Sequence, residues 1–277
     1  MAVVDLGYPS RIICLTEETT ETLYLLGEQE RIVGISGFTH RPLEARREKP
    51  KVSAFVEADI PKIEALEPDL ILAFSDIQAE ITRELVARGH NVYTFNQRSI
   101  AEILQAITLI GSLVGRQQGA QVLAGELRAR LERVRELATK LPRRPRVYFE
   151  EWPEPMISGI RWVSELIEIA GGDDVFASQS HGSLAKERFV DAERVVELNP
   201  EVIIASWCGK KVKHDEIVGR DGWQPIDAIV NERIYEVDST IILQPGPAAL
   251  TAGLDALAQI VRAVALEEQL DLFDEMV

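Results

Sequence analysis

The feature that most constrains this chain is a segment that occurs twice. Lys62-Ile-Glu-Ala-Leu-Glu-Pro-Asp-Leu-Ile-Leu-Ala73 aligns without a gap on Arg194-Val-Val-Glu-Leu-Asn-Pro-Glu-Val-Ile-Ile-Ala205. A basic residue, leucine, proline, an acid, isoleucine and alanine fall in register. Proline cannot be accommodated inside a helix, and it pushes the residue before it towards extended backbone. Each copy therefore reads as a helix stopped at Pro68 or Pro200 and followed by a wholly apolar strand. A strand with no polar alternation is buried on both faces, which is the condition of a parallel sheet covered by helices.

The flanking strand order repeats as well. In the first half, Arg11–Leu15, Arg31–Ser36, Leu70–Phe74 and Val92–Phe95 read as strands that alternate with helices. In the second half, Arg146–Glu150, Val202–Ser206 and Arg233–Val237 do the same. A helix is predicted to open at Ile157 and run through Ile169, and a final helix to run from Ala248 towards Ala265. The loop Gly37–Pro42 leads into a segment, ending at Lys51, that reads as charged and exposed.

Between the halves lies Ser99–Leu141. Ser99 with Glu102 three residues on is a capping-box signature. Apolar residues at helical spacing carry a helix to Val114, and Gly115–Gly119 breaks it. A second helix over 117–140 would span roughly 35 Å at about 1.5 Å per residue, and Pro142 ends it. The expected fold class is α/β: two α/β lobes with mainly parallel sheets joined by one long connecting helix. The lobes are placed at 1–116 and 142–277, with the connecting helix at 117–141.

Composition narrows the function. Among 277 residues, 46% are hydrophobic and 27% charged, as in ordinary globular proteins. The formal net charge of −15 disfavours nucleic acid, whose recognition starts from a basic surface, and disfavours anionic membranes. Two cysteines, Cys14 and Cys208, are too few for a disulfide scaffold. The first residues lack a basic segment followed by an apolar stretch, so the chain as it stands reads as cytoplasmic, or as periplasmic if a signal has been removed. No stretch is expected to span a bilayer.

In parallel sheets ligands bind at the carboxyl ends of strands. That rule selects Thr16–Thr19, Gly37–His40, Phe74–Gln78, Asn96–Arg98, Glu151–Met156, Trp207–Lys211 and Gln244–Pro247. Aromatics total only 6%, yet Trp152, Trp162 and Trp207 fall in or beside these segments, and Phe38 and Phe74 fall in the first half's edge. Such rings bury large apolar area at low entropy cost and suit a flat or macrocyclic ligand. Arg98, Arg161 and Lys210, with Arg41 and Lys211 nearby, would meet anionic groups. Gln244, in the rigid Gln-Pro-Gly-Pro loop, offers an amide. Four histidines in scattered settings make no metal site, and only His40 is placed at an edge. An enzyme reading would use Glu150 and Glu151 as acid–base groups, with Cys208 as a thiolate favoured by adjacent lysines. No phosphate loop, nucleophile elbow or dinucleotide fingerprint accompanies them. The expected role is binding without catalysis.

These residues give the chain a resemblance to the helical-backbone class of substrate-binding proteins that serve ABC importers, in the branch that binds cobalamin or ferric siderophores. The resemblance rests on Arg11–Gly27, Ala65–Ala73, Ser158-Gly159, Glu165–Gly172 and Glu193–Ala205, and covers roughly Arg11 to Val264. It implies a monomer that captures a corrinoid-like or ferric-siderophore-like molecule in a cleft between lobes, with no covalently bound cofactor. Importer membrane subunits are the implied partner. Members of this class dock through one exposed glutamate per lobe. Glu193 matches that position in the second half, and Pro61 occupies it in the first, with Glu57, Asp59 and Glu64 nearby. A cytoplasmic carrier of a corrinoid or metal complex, not docking on an importer, is the alternative that fits the missing signal.

Overall fold

The computed structural model describes residues 7–267, which divide into two compact units. One comprises the chain through Gln97 together with Ala101–Leu127. The other comprises Arg98–Ile100 and the chain from Arg128 onward.

The first unit is a six-stranded sheet. Its strands are β1 (Ile12–Cys14), β2 (Ile32–Ser36), β3 (Lys51–Ala54), β4 (Glu57–Ala58), β5 (Leu70–Phe74) and β6 (Val92–Phe95), in the order β4-β3-β2-β1-β5-β6. All neighbours are parallel except the short β3–β4 hairpin. The helices α1 (Glu17–Leu25), α2 (Leu43–Glu48), α3 (Ile60–Ala65) and α4 (Ala79–Ala87) lie between the strands in sequence. They are followed by α5 (Ile100–Leu113) and α6 (Gln117–Ala138). Successive strand residues enter different cores: Ile12, Cys14, Leu70, Leu72 and Phe74 in one, Ile13, Leu15, Ile71 and Ala73 in the other. The unbroken apolar runs thus mean burial on both faces, as the strand pattern predicted. The charged segment that ends at Lys51 is exposed along most of its length, as expected, with Ala45 buried where it forms α2. It runs into β3, a strand not read from the sequence, whose Val52 and Ser53 are buried.

Gly111 lets α5 and α6 approach closely, because a Cβ there would overlap the side chain of Ala120. Helix α6 contributes Gln117–Leu127 to the first unit and its remaining turns to the second.

The second unit's sheet is built on β7 (Arg146–Pro153), with β8 (Met156–Ser158), β9 (Asp173–Asp174), β10 (Val202–Ala205) and β11 (Ile234–Glu236). The order is β11-β10-β7-β8, and β9 pairs with the start of β7. Only β8 is antiparallel. The helix expected to open at Ile157 does not. Met156–Ser158 turn back as β8, and the helix α7 covers Arg161–Ile169. The Pro153–Met156 turn makes a hairpin possible before helical spacing takes over.

The final helix, Leu254–Leu266, is preceded by a π-helical turn at Ala249–Gly253. Contrary to expectation, Ala249–Leu266 is long and apolar enough to cross a membrane. Most of it is buried inside the second unit, where Leu254, Leu257, Ile260 and Val261 are enclosed.

The two copies of the repeated segment are α3 with β5, and α8 (Ala192–Leu198) with β10. Each helix ends in a residue of positive φ directly before the proline, Glu67 at 46° and Asn199 at 43°. Left-handed residues commonly close helices, and the proline prevents resumption. Each repeat strand then lies beside its unit's first strand, β5 against β1 and β10 against β7.

Candidate functional site

In the second unit the carboxyl ends of β7 and β10 bring Trp152 and Lys210 together. Trp152 lies near the end of β7, paired with Ile157 of β8. Its indole N–H donates to the Glu154 carbonyl at 2.9 Å, which fixes the ring. The ring is half-buried, and the exposed Lys210 holds its ammonium 4.1 Å from the ring centroid and 5.1 Å from that of Trp207. A cation over an indole face is attracted by the ring's quadrupole. The pair offers a flat apolar face and an exposed positive charge in one place.

Trp207 does not present an open face. It is 2% exposed, and its N–H donates to Glu150 at 3.0 Å. Trp162, also expected to contact ligand, is buried and donates to the Ile242 carbonyl at 2.9 Å. Both indoles work as core residues with a satisfied polar tip. Trp223, in its own loop, is fully buried and stacks under the guanidinium of Arg220 at 4.5 Å.

The acidic cluster is also structural. Glu150 is fully buried and accepts from Tyr148, from Trp207 and from both terminal nitrogens of Arg220, one of them at 2.9 Å. Burial, and then the charge of Glu150, holds the Tyr148 phenol well above its usual value, so it stays a donor. Glu151 forms a two-bond pair with the buried Arg188 at 2.6 and 3.1 Å. With these partners neither carboxylate is available for acid–base work. Cys208 departs from the expectation too. Desolvation, and then the charge of Glu151, raises its thiol, the opposite of activation by the neighbouring lysines.

The remaining basic candidates are engaged differently. Arg161 is half-buried and pairs with Glu165 at 2.9 Å, and Glu165 also accepts the Ile100 amide at 2.8 Å. Arg98, half-buried, sits in this same short segment of the second unit. Gln244 is half-buried, and its carbonyl accepts from Gly246 at 2.8 Å.

In the first unit the strand ends place Phe38 after β2, 46% exposed. Its ring meets Phe55 edge-on, with centroids 6.2 Å apart and planes at 86°. Phe55 was not singled out from the sequence, since it follows a strand that the surrounding charges concealed. Phe74 is 7% exposed and belongs to the core, its amide donating to Gln78 at 3.0 Å. Gln78 in turn donates to the carbonyls of Leu15 and Phe55, both at 3.1 Å, tying three strand ends together. Next to Phe74, Ser75 holds φ at 56°, a strained backbone for a non-glycine residue and of the kind that collects at binding edges. Ser75, Asp76, Thr82, Arg83, Thr94 and Asn96 line an open depression there.

Glu193 is exposed in the first turn of α8, and Pro61 is exposed in the matching turn of α3. Of the acids near Pro61, Asp59 caps α3 by accepting from the Lys62 amide at 3.1 Å, and Glu64 pairs with Arg88 at 3.1 Å. Among the described residues, no group of three or more histidine, cysteine or acidic side chains is arranged to hold a metal ion.

A family model described as periplasmic binding protein matches residues 12–241. The chain is 27% identical over 262 residues to an ABC transporter substrate-binding lipoprotein of Bacillus subtilis (strain 168), covering 91% of this chain and 80% of the relative. It is 26% identical over 248 residues to a vitamin B12-binding protein of Vibrio campbellii, covering 89% and 87%. In fold it is similar to a periplasmic heme-binding protein from Roseiflexus, with TM-score 0.79 and 22% identity, over 92% of this chain and 99% of that one.

Proposed function

We propose that this chain, which belongs to the periplasmic binding protein family, captures a cobalamin-like ligand and presents it for ABC-type import. The observation that carries the ligand reading is Trp152 lying under the ammonium of Lys210 at the carboxyl end of β7. Cobalamin is a broad, largely apolar corrin macrocycle with a polar amide rim and an appended nucleotide tail that carries an anionic phosphodiester. The indole face suits the ring, and Lys210 suits the anion once it swings off the indole. Phe38 and Phe55 form an aromatic pair beyond strand ends of the first unit. The vitamin B12-binding relative supports the same choice over a siderophore. The work is capture and release, not catalysis, as befits the family.

On the importer side, Glu193 is the docking residue of the second unit, and the setting is extracytoplasmic, as for the lipoprotein relative. Pro61 favours a second reading in which the chain carries its ligand without docking on membrane subunits.

Titration with cyanocobalamin, haemin and ferrichrome, followed by tryptophan fluorescence, tests the proposal. Cyanocobalamin is expected to bind, and Trp152→Ala to weaken it by about tenfold or more, ~1.4 kcal/mol. Absence of cyanocobalamin binding at concentrations below roughly 100 μM, about −5.5 kcal/mol, overturns the ligand reading.

A further inference from the structure

The first unit buries two adjacent carboxyl groups that the capture of a ligand does not directly use. Glu17 and Glu18 open α1 and are 3% and 2% exposed. Glu18 is served locally, by the Thr16 hydroxyl at 2.6 Å. Glu17 reaches outside its helix. Its Oε2 accepts the backbone N–H of His40 at 2.9 Å, while Oε1 has no hydrogen-bond partner.

His40 belongs to the loop that follows β2 and carries Phe38. The rest of this loop is held from the other side. Gly37 donates to the Ser53 carbonyl at 2.7 Å, and Arg46 of α2 donates to the carbonyls of Gly37 and Thr39 at 3.1 and 3.2 Å. From α1, Glu17 holds the His40 amide, and Glu21 reaches Arg41 at 3.4 Å.

We propose that Glu17 is a positioning residue: by accepting the His40 amide, its carboxyl group fixes the loop from Gly37 to Pro42 that presents Phe38, and so sets ligand affinity. The part concerning affinity rests on the reading that Phe38 meets the ligand.

Chemistry gives this clamp a pH dependence. Desolvation, opposed by the backbone donors and reinforced by Glu21 and Glu18, lifts the Glu17 carboxyl to about 8. The groups facing it are Glu18 and Glu21 on its own helix and His40 and Arg41 in the loop. Below that value the group is a neutral acid, its proton on the unpartnered Oε1 and its Oε2 receiving the amide. Loss of the proton to solvent leaves a buried anion beside two other acids. The group then moves outward, and the amide of His40 loses its acceptor.

Hydrogen exchange of the unliganded protein reads the clamp without any ligand. The His40 amide is expected to show a constant protection factor up to about pH 7 and a falling one above pH 8. Glu17→Gln keeps the acceptor and removes the titration, so its protection stays flat. Glu17→Ala is unprotected throughout. Circular dichroism of each variant separates this from unfolding, and Glu17→Gln carries the test alone if the alanine variant fails to fold.

With cyanocobalamin as probe, wild-type affinity at pH 9 falls about tenfold relative to pH 6, the fraction of acid form remaining there, and Glu17→Gln does not change. Protection at His40 that ignores pH in the wild type overturns the proposal, as does a Glu17→Gln protein whose affinity falls as the wild type's does. Protection that behaves as stated in a protein that takes up no cyanocobalamin upholds the clamp and removes the ligand assignment instead.

Discussion

Each unit buries carboxyl groups on or just beyond its first strand, and the two solve the problem in opposite ways. Beyond β1, Glu17 and Glu18 are enclosed with few donors, and desolvation lifts them to about 8 and about 7. Within β7, Glu150 is more deeply enclosed, yet Tyr148, Trp207 and the Arg220 guanidinium all donate to it. Burial alone therefore does not fix the character of a carboxyl group. The count of N–H and O–H groups aimed at it does. One unit keeps a site that titrates near neutrality, and the other keeps a locked ion pair that braces the wall on which Trp152 stands.

Removing the lock should have the largest effect. Arg220→Ala leaves Glu150 buried without its charge partner and is expected to cost about 3–5 kcal/mol in urea denaturation. A loss within 1 kcal/mol would mean that the two units do not differ in this way.

The second effect is one of pH. Both Glu17 and Glu18 have folded values raised above the unfolded 4.5, so the folded chain holds protons that the unfolded chain releases. Their stabilisation is complete below about pH 4.5 and is lost as pH rises through about 7 and 8. Denaturation at pH 5, 7 and 9 should show the decline, and the Glu17→Gln, Glu18→Gln double variant should flatten it relative to the wild type.

The smallest effect belongs to the exposed cation. Lys210→Ala gives up a contact worth about 0.5–1 kcal/mol at most, so the midpoint of denaturation should scarcely move while the emission of Trp152 changes. A large drop in stability would show that Lys210 is part of the core's support.

Much of the fold could be read from the chain, because its evidence is local. The prolines at 68 and 200 stop helices wherever they stand, and apolar runs such as Leu70–Phe74 and Val202–Ala205 fit only strands covered on both faces. The misses share a cause as well. Val52 and Ser53 lie among so many charges that the pattern around β3 is drowned, and Ile157 has helical spacing to later residues but pairs backward onto β7.

The site was legible only in part. Trp152 and Phe38 stand at strand ends as the edge rule requires. Trp207 and Phe74 share that setting and Trp162 opens a helix, yet their burial depends on partners that no spacing reveals. Arg220 meets Glu150 across 70 positions of chain, and Glu17 meets the His40 amide across 23. Such pairings exist only once the sheet has formed.

The two thiols have a practical consequence. Cys14 is fully enclosed in β1, and burial pushes its pKa up to about 12, which makes it inert to ordinary alkylation. Cys208 is exposed, directly after Trp207 and two residues before Lys210. The natural chain thus accepts a single maleimide dye without mutation, at mildly alkaline pH because this thiol too is raised. A fluorophore attached there sits on the rim of the proposed ligand surface, so the protein becomes its own reagentless sensor for screening ligands.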